Sequence, residues 1–238
     1  MLQQTQVERV TPYYKTFLKQ FLTVRSLSRA PLSSVLRAWQ GLGYNRRAKM
    51  LHEAAKEIAK RGSFPKKVTE LERLPGIGPY TARAICAFAY NQNVVFVETN
   101  IRTALIHHFF RAKTSIRNGS IYGTVSDAAL TEILERLFPK GRAREWYAAL
   151  MDYGAYLKAT GIKTNARVKG YIKQKKFAGS DREARGAIVR ALSARSLSAT
   201  TLSQVLGRRR QKQVRAQIEK LIVEGLIEKP ASRYRLAG

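Results

Sequence analysis

The chain has 238 residues, 45% of them hydrophobic, and 44 Lys and Arg stand against 16 Asp and Glu for a formal charge of +28. That content can build the core of one large or two to three small domains, and the charge calls for a polyanionic partner, nucleic acid first. A single cysteine, Cys86, excludes an intramolecular disulfide and any cluster that needs several thiolates; with no apolar leader and no run of membrane-spanning length, a cytoplasmic, nucleoid-associated monomer is expected.

Val7, Val10, Tyr14, Phe17, Leu18 and Phe21 recur at helical spacing, with Pro12 as a break or restart. Pro31 is placed to open a second helix through Trp39, and Asn45 to cap a third that ends near Arg61. Two hairpin helices follow near 67–74 and 80–91, then helices at about 98–112, 125–138 and 141–157. Residues 158–180 crowd Lys158, Lys163, Arg167, Lys169, Lys173, Lys175 and Lys176 into a stretch with few large aliphatics, a linker or basic strap. From Asp181 the pattern is compact: helices near 181–194, 199–206 and 208–225, Gly207 at the turn, and Leu226–Glu228 pairing with Tyr234–Leu236 as a wing. This order reads as a winged helix-turn-helix, with Arg208, Arg209, Arg210 and Lys212 opening the helix that meets DNA. A protein-binding winged helix with a solvated basic face is the alternative. The expected division is therefore 1–160, a linker over 161–180, and a module over 181–238.

Between the hairpin helices lies Leu74-Pro75-Gly76-Ile77-Gly78-Pro79-Tyr80-Thr81-Ala82. Gly76 and Gly78 permit a sharp turn and leave N–H groups open to a phosphate at a helix N-terminus. Further on, the apolar run Val94 to Val97 delivers Glu98-Thr99-Asn100 to the start of another helix. A phosphate-gripping hairpin followed by a helix-start carboxylate suits an enzyme that excises bases from DNA.

Together with Met1-Leu2-Gln3-Gln4-Thr5-Gln6-Val7, Trp39-Gln40-Gly41-Leu42-Gly43-Tyr44 and Ala149-Leu150-Met151-Asp152-Tyr153-Gly154, these motifs make residues 1–160 resemble the helix-hairpin-helix DNA glycosylase superfamily, most of all its A/G-specific adenine glycosylases. The resemblance implies a mainly α, two-lobed glycosylase core ahead of the C-terminal module. It implies a monofunctional enzyme that flips adenine mispaired with guanine or 8-oxoguanine out of double-stranded DNA and hydrolyses its N-glycosidic bond. Glu98 stands where the family places its second carboxylate, normally Asp, which stabilises the cationic sugar; the added methylene moves the charge about 1.5 Å. A plain helix cap is the alternative for Glu98, as it is for Asn100, which matches a pocket residue. Tyr80 stands where bifunctional members carry a Schiff-base lysine, so it hydrogen-bonds Glu98 or the sugar, or simply packs.

Leu2, Gln3, Gln4 and Thr5 match the loop that enters the duplex, and Gly76, Gly78 and Thr81 the phosphate grip, where a monovalent cation on the hairpin carbonyls is allowed. Tyr44, Asn45 and Arg46, with Arg47 and Lys49, are placed for DNA contact, Asn45 where adenine-specific relatives carry a wedging tyrosine. The four cysteines that many relatives use for an iron–sulfur cluster are absent, and there is no room for a Nudix-like domain. The family's protonating Glu lies two residues before the Met of Met-Leu-Gln-Gln-Thr, and this sequence starts at that Met. An impaired excision enzyme is therefore expected, with a non-catalytic DNA-binding or regulatory protein on the same scaffold as the alternative. His52, His107 and His108 have no metal-ligand spacing.

Overall fold

Pro12 does not interrupt the first helix. In the computed structural model α1 runs unbroken over Val7–Gln20, because the proline removes only one N–H, that facing the Glu8 carbonyl. Core packing outweighs that loss: Val10 and Phe17 are buried, and the Phe17 and Phe21 rings meet at 4.8 Å. The structure describes residues 1–3, 5–110, 116–117, 120–121, 125–162, 164 and 176–238. A short helix not expected from the sequence follows, α2 (Val24–Arg29), started by a reciprocal cap in which Thr23 and Ser26 each accept the other's backbone N–H. Then come α3 (Leu32–Ala38) and α4 (Arg46–Arg61). Asn45 precedes α4 but its side chain caps nothing.

These helices share one apolar cluster with the C-terminal module. Val35, Leu36 and Trp39 pack in the same core as Ile188, Leu192, Val214, Leu221, Leu226 and Leu236. The module contains α10 (Asp181–Ala194), α11 (Ala199–Ser203) and α12 (Gln211–Val223). Its three short strands, β3 (Leu197–Ser198), β4 (Ile227–Glu228) and β5 (Arg233–Leu236), form an antiparallel sheet in the order β3-β5-β4, with Leu197 opposite Tyr234 and Ile227 opposite Leu236. Polar links reinforce the shared core: Arg37 Nε donates to the Ser193 carbonyl at 3.1 Å, and Lys49 Nζ to the Glu224 carbonyl at 2.6 Å. Residues 1–64 and 175–238 thus form one compact unit, unit 1, and residues 65–174 a second, unit 2.

Unit 2 contains α5 (Val68–Leu71), α6 (Pro79–Tyr90), α7 (Thr99–Phe109), α8 (Asp127–Leu137) and α9 (Ala143–Ala159). A two-residue pairing, β1 (Ile116–Arg117) with β2 (Ser120–Ile121), completes its described elements. Phe96, Ile101, Leu105, Leu130, Leu134 and Tyr147 make its main core, and Leu71, Ala82 and Cys86 a second under the hairpin.

Two further expectations change. Lys158 belongs to the last turn of α9 rather than to a linker; Lys163, Arg167, Lys169, Lys173 and Lys175 lie outside the described residues. The helix expected over 208–225 is divided into a 3-10 turn at Arg208–Arg210 and α12.

His52 is buried within α4, and desolvation, reinforced by Lys56, pushes its imidazole below the usual 6.5. The unfolded chain therefore binds a proton that the folded one resists. This contribution to stability is complete above pH 6.5 and is lost as pH falls through the depressed folded value. Melting measured from about pH 8 to pH 5 should show this acid loss, and His52→Leu should flatten it.

Candidate active site at the start of helix α7

The segment leading into α7 has no strand partner among the described residues, so its backbone is held by a side chain. The Tyr147 hydroxyl donates to the Val94 carbonyl at 2.9 Å and accepts the Phe96 N–H at 3.2 Å. Its ring stacks on Phe96 at 4.1 Å. Burial pushes the Tyr147 phenol up to about 12, which keeps its proton on and this clamp closed. The clamped segment ends at Glu98.

Glu98 is the N-cap of α7. Its Oε1 accepts the backbone N–H groups of Asn100 at 2.5 Å and Ile101 at 2.8 Å. One carboxylate oxygen thus satisfies two orphan helix donors, and the negative charge sits at the positive end of the helix. Tyr80, the second residue of α6, packs its ring edge-on to Phe96 at 5.7 Å and stays 40% exposed. Burial and the nearby Glu98 charge both raise the Tyr80 phenol, so it remains a proton-bearing donor beside the carboxylate.

Asn100 is fixed by a group that sequence reasoning missed. Lys158 Nζ donates to Asn100 Oδ1 at 2.6 Å. Burial lowers the Lys158 ammonium, Glu98 raises it and Arg102 lowers it, so the cation lies within the field of the candidate carboxylate. Arg102 itself is committed to Asp127, with contacts of 2.8 and 2.9 Å from Nη2 to the two carboxylate oxygens. Close approach of α9 to α7 makes this arrangement possible. A Cβ on Gly154 would lie 2.0 Å from the Asn100 carbonyl oxygen and 2.5 Å from its carbon. The last glycine of Met-Asp-Tyr-Gly is therefore a packing requirement of the site.

In the hairpin, Gly76 adopts φ +74°, a backbone conformation that favours glycine. Gly78 precedes Pro79 as the N-cap of α6, and beyond its two chain neighbours nothing lies within 4 Å of where its Cβ would be. The surface there is open beside the first turn that carries Tyr80 and Thr81.

The other predicted residues divide. Leu2 and Gln3 are exposed and Thr5 is half-buried, its N–H turning back to the Leu2 carbonyl; Gln4 lies outside the described residues. Tyr44 and Arg46 are exposed, but Asn45 is only 6% exposed and so is not presented to a duplex. Arg47 turns inward, its Nη1 on the Gln3 carbonyl at 2.6 Å, which ties the N-terminal segment to α4 rather than reaching a phosphate. Arg208, Arg209 and Lys212 are exposed, whereas Arg210 is spent internally on Glu183 at 2.7 Å and Gln213 at 3.0 Å, bracing the 3-10 turn against the start of α10.

The donor set does not fit an iron–sulfur cluster. Cys86 is buried, its Sγ is 3.4 Å from the Lys66 carbonyl, and burial raises its thiol. Among the described residues no three His, Cys, Asp or Glu could hold a metal ion, and no helix is long and apolar enough to cross a membrane. His107 and His108 touch edge to face at 4.8 Å, and His108 Nε2 lies 2.6 Å from the Tyr153 hydroxyl.

Residues 1–118 match the model of the HhH-GPD superfamily of base excision DNA repair proteins. The whole chain aligns with an adenine DNA glycosylase of Mycolicibacterium smegmatis at 33% identity, covering 85% of that protein. An adenine DNA glycosylase of Buchnera aphidicola subsp. Baizongia pistaciae is 35% identical over 74% of this chain, which spans 50% of that relative's length. Among solved structures, a thermostable thymine-DNA glycosylase superposes with a TM-score of 0.53 at 26% identity, over 65% of this chain and 69% of that one. A trapped endonuclease III–DNA covalent intermediate gives 0.52 at 18% identity, over 65% of this chain and 70% of that one, a likeness of fold alone. The motifs at Met1, Trp39, Gly76 and Ala149 and these relatives agree: the chain belongs to the HhH-GPD superfamily of base excision DNA repair glycosylases, as an adenine DNA glycosylase-like member.

Proposed function

We propose that the protein binds double-stranded DNA and removes adenine mispaired with guanine or 8-oxoguanine, as a monofunctional glycosylase. The observation that carries this reading is Glu98, a carboxylate fixed at a helix start with one oxygen on two amides and Tyr80, Asn100 and Lys158 around it. When the bond between the sugar C1′ and adenine breaks, its electron pair leaves with the base, which takes up a proton from solvent. The sugar becomes an oxocarbenium-like cation. Glu98 offers its second oxygen to that cation and takes up the proton released by the water that adds at C1′. Tyr80 supplies no amine, so the sugar is not captured as a Schiff base.

Contacts to the duplex fall to the first turn of α6, where the open face of Gly78 admits a phosphate, and to Arg208, Arg209 and Lys212, read as the recognition edge of a winged helix-turn-helix. Glu98 is the acid whose charge reaches both Tyr80 and Lys158. It cannot serve as the ionised partner of the sugar and as donor to the base at once.

Single-turnover base release, with binding followed in parallel, tests the reading on duplexes carrying adenine opposite 8-oxoguanine, adenine opposite guanine, and thymine opposite guanine. Liberation of adenine from the first two and none of thymine is expected. Tight binding with no release would make the protein a non-catalytic lesion binder. Release of thymine would move the substrate to that of the thymine-DNA glycosylase relative.

A further inference from the structure

Rings and guanidinium groups alternate from the core of unit 1 to its surface. Trp39, 2% exposed, lies 5.9 Å from the Arg47 guanidinium, and Arg47 is 4.9 Å from the centre of the Tyr44 ring. Tyr44 is 6.0 Å from the Arg182 guanidinium, and Arg182 is 6.0 Å from the Phe177 ring. Arg182 Nη1 also approaches the Tyr44 hydroxyl at 3.4 Å. The two ends contrast: Trp39 is sealed in the core, while Phe177 is 59% exposed.

Three features set this stack apart from ordinary packing. Tyr44 holds φ +49°, a left-handed conformation that is costly for a residue with a side chain and recurs at ligand-contact positions. Arg47 carries two buried nitrogens, Nε and Nη2, with no hydrogen-bond partner among the described residues, so its place is set by the Gln3 carbonyl on Nη1 and by the rings it touches. Phe177, at the foot of the turn that Ser180 closes onto α10, leaves a large aromatic surface in water. Cations within about 6 Å of aromatic rings hold them in place, and Phe177 stays 59% exposed although Arg182 lies over its ring.

The ligand that fits pairs a flat π-system with a negative charge one linker away. On a chain of charge +28 that is a nucleotide whose base has left its stack: the base lies on the ring and the phosphate on the planar guanidinium fork. We propose that Phe177 and Arg182 form a nucleotide-contact site that extends the Tyr44 loop, so that the C-terminal module reads an unstacked base at the mismatch. The proposal rests on the DNA-binding reading above.

The full chain tests it, with fluorescein-labelled probes of one sequence: a duplex with adenine opposite guanine, the fully matched duplex and the single strand. Phe177→Leu keeps apolar bulk and loses the π face; Arg182→Lys keeps the charge and loses the plane. Each should weaken binding to the mismatched duplex and the single strand about tenfold, and to the matched duplex less than twofold, while Phe177→Trp retains wild-type affinity. Wild-type affinity for all three probes in both loss variants overturns the site and leaves the proposed function standing. An equal loss on all three probes also overturns it, because the contact is then not with an unstacked base. Failure of the wild-type chain to bind any probe overturns the site and the DNA reading together. Two variants on separate residues, each checked by thermal melting, keep the test decisive if one of them fails to fold.

Discussion

Glu98→Gln lowers single-turnover adenine release by about 10³-fold while DNA affinity stays within about threefold of the wild type. The amide keeps an oxygen for the Asn100 and Ile101 N–H groups, so the α7 cap and the fold survive. Only the negative charge is lost, and charge is what a cationic sugar requires. The expected signature is a rate defect without a binding defect, because the interaction strengthens only as the bond to the base breaks. Single-turnover rates and equilibrium binding on the same mismatched duplex measure both halves. A rate within tenfold of wild type would remove Glu98 from the chemistry and leave it a helix cap.

Gly154→Ala disrupts unit 2 itself. The new methyl would meet the Asn100 carbonyl at 2.0 Å, and its obstacle is backbone at a helix start, which cannot swing aside like a long side chain. The cost is about 3 kcal/mol or more, expected as a fall of at least about 10 °C in the melting of unit 2. Activity is lost for a second reason: moving α9 away from α7 withdraws Lys158 from Asn100 and shifts the N–H groups that hold Glu98. Gly186→Ala in α10 is the control. It meets nothing within 4 Å, so it should stabilise by about 0.5–1 kcal/mol. Thermal melting of both variants separates a steric clash from the general preference of helices for alanine.

The carboxylate, the hairpin and most helix positions were legible because their signals are local. A cap, a Gly-x-Gly turn and an apolar period each sit within a few residues of what they organise. Lys158 was not legible. In the sequence it opens a basic run, and only the crossing of α7 and α9 shows that its amine is half-buried on Asn100. Arg210 and Arg47 looked like DNA contacts for the same reason, since a cation's internal partner is invisible until the fold supplies Glu183 or the Gln3 carbonyl. Pro12 misled because a propensity rule met a helix whose Val10 and Phe17 were already committed to the core. The helix α2 escaped because six residues with two serines carry little period, and its start rests on the Thr23–Ser26 exchange.

Val35 and Leu36 share a core with Leu221 and Leu236, and that core has a consequence for how the protein is made. Residues 65–174 leave the ribosome as one continuous stretch and can fold on their own schedule. The first 64 residues share their core with residues made much later. Their apolar faces are completed by residues 175–238, so unit 1 is finished only once those residues have been made. During that interval α3 is an exposed adhesive surface. A nascent chain stalled before α10 should recruit chaperones or aggregate, although every residue of its candidate active site has already been made.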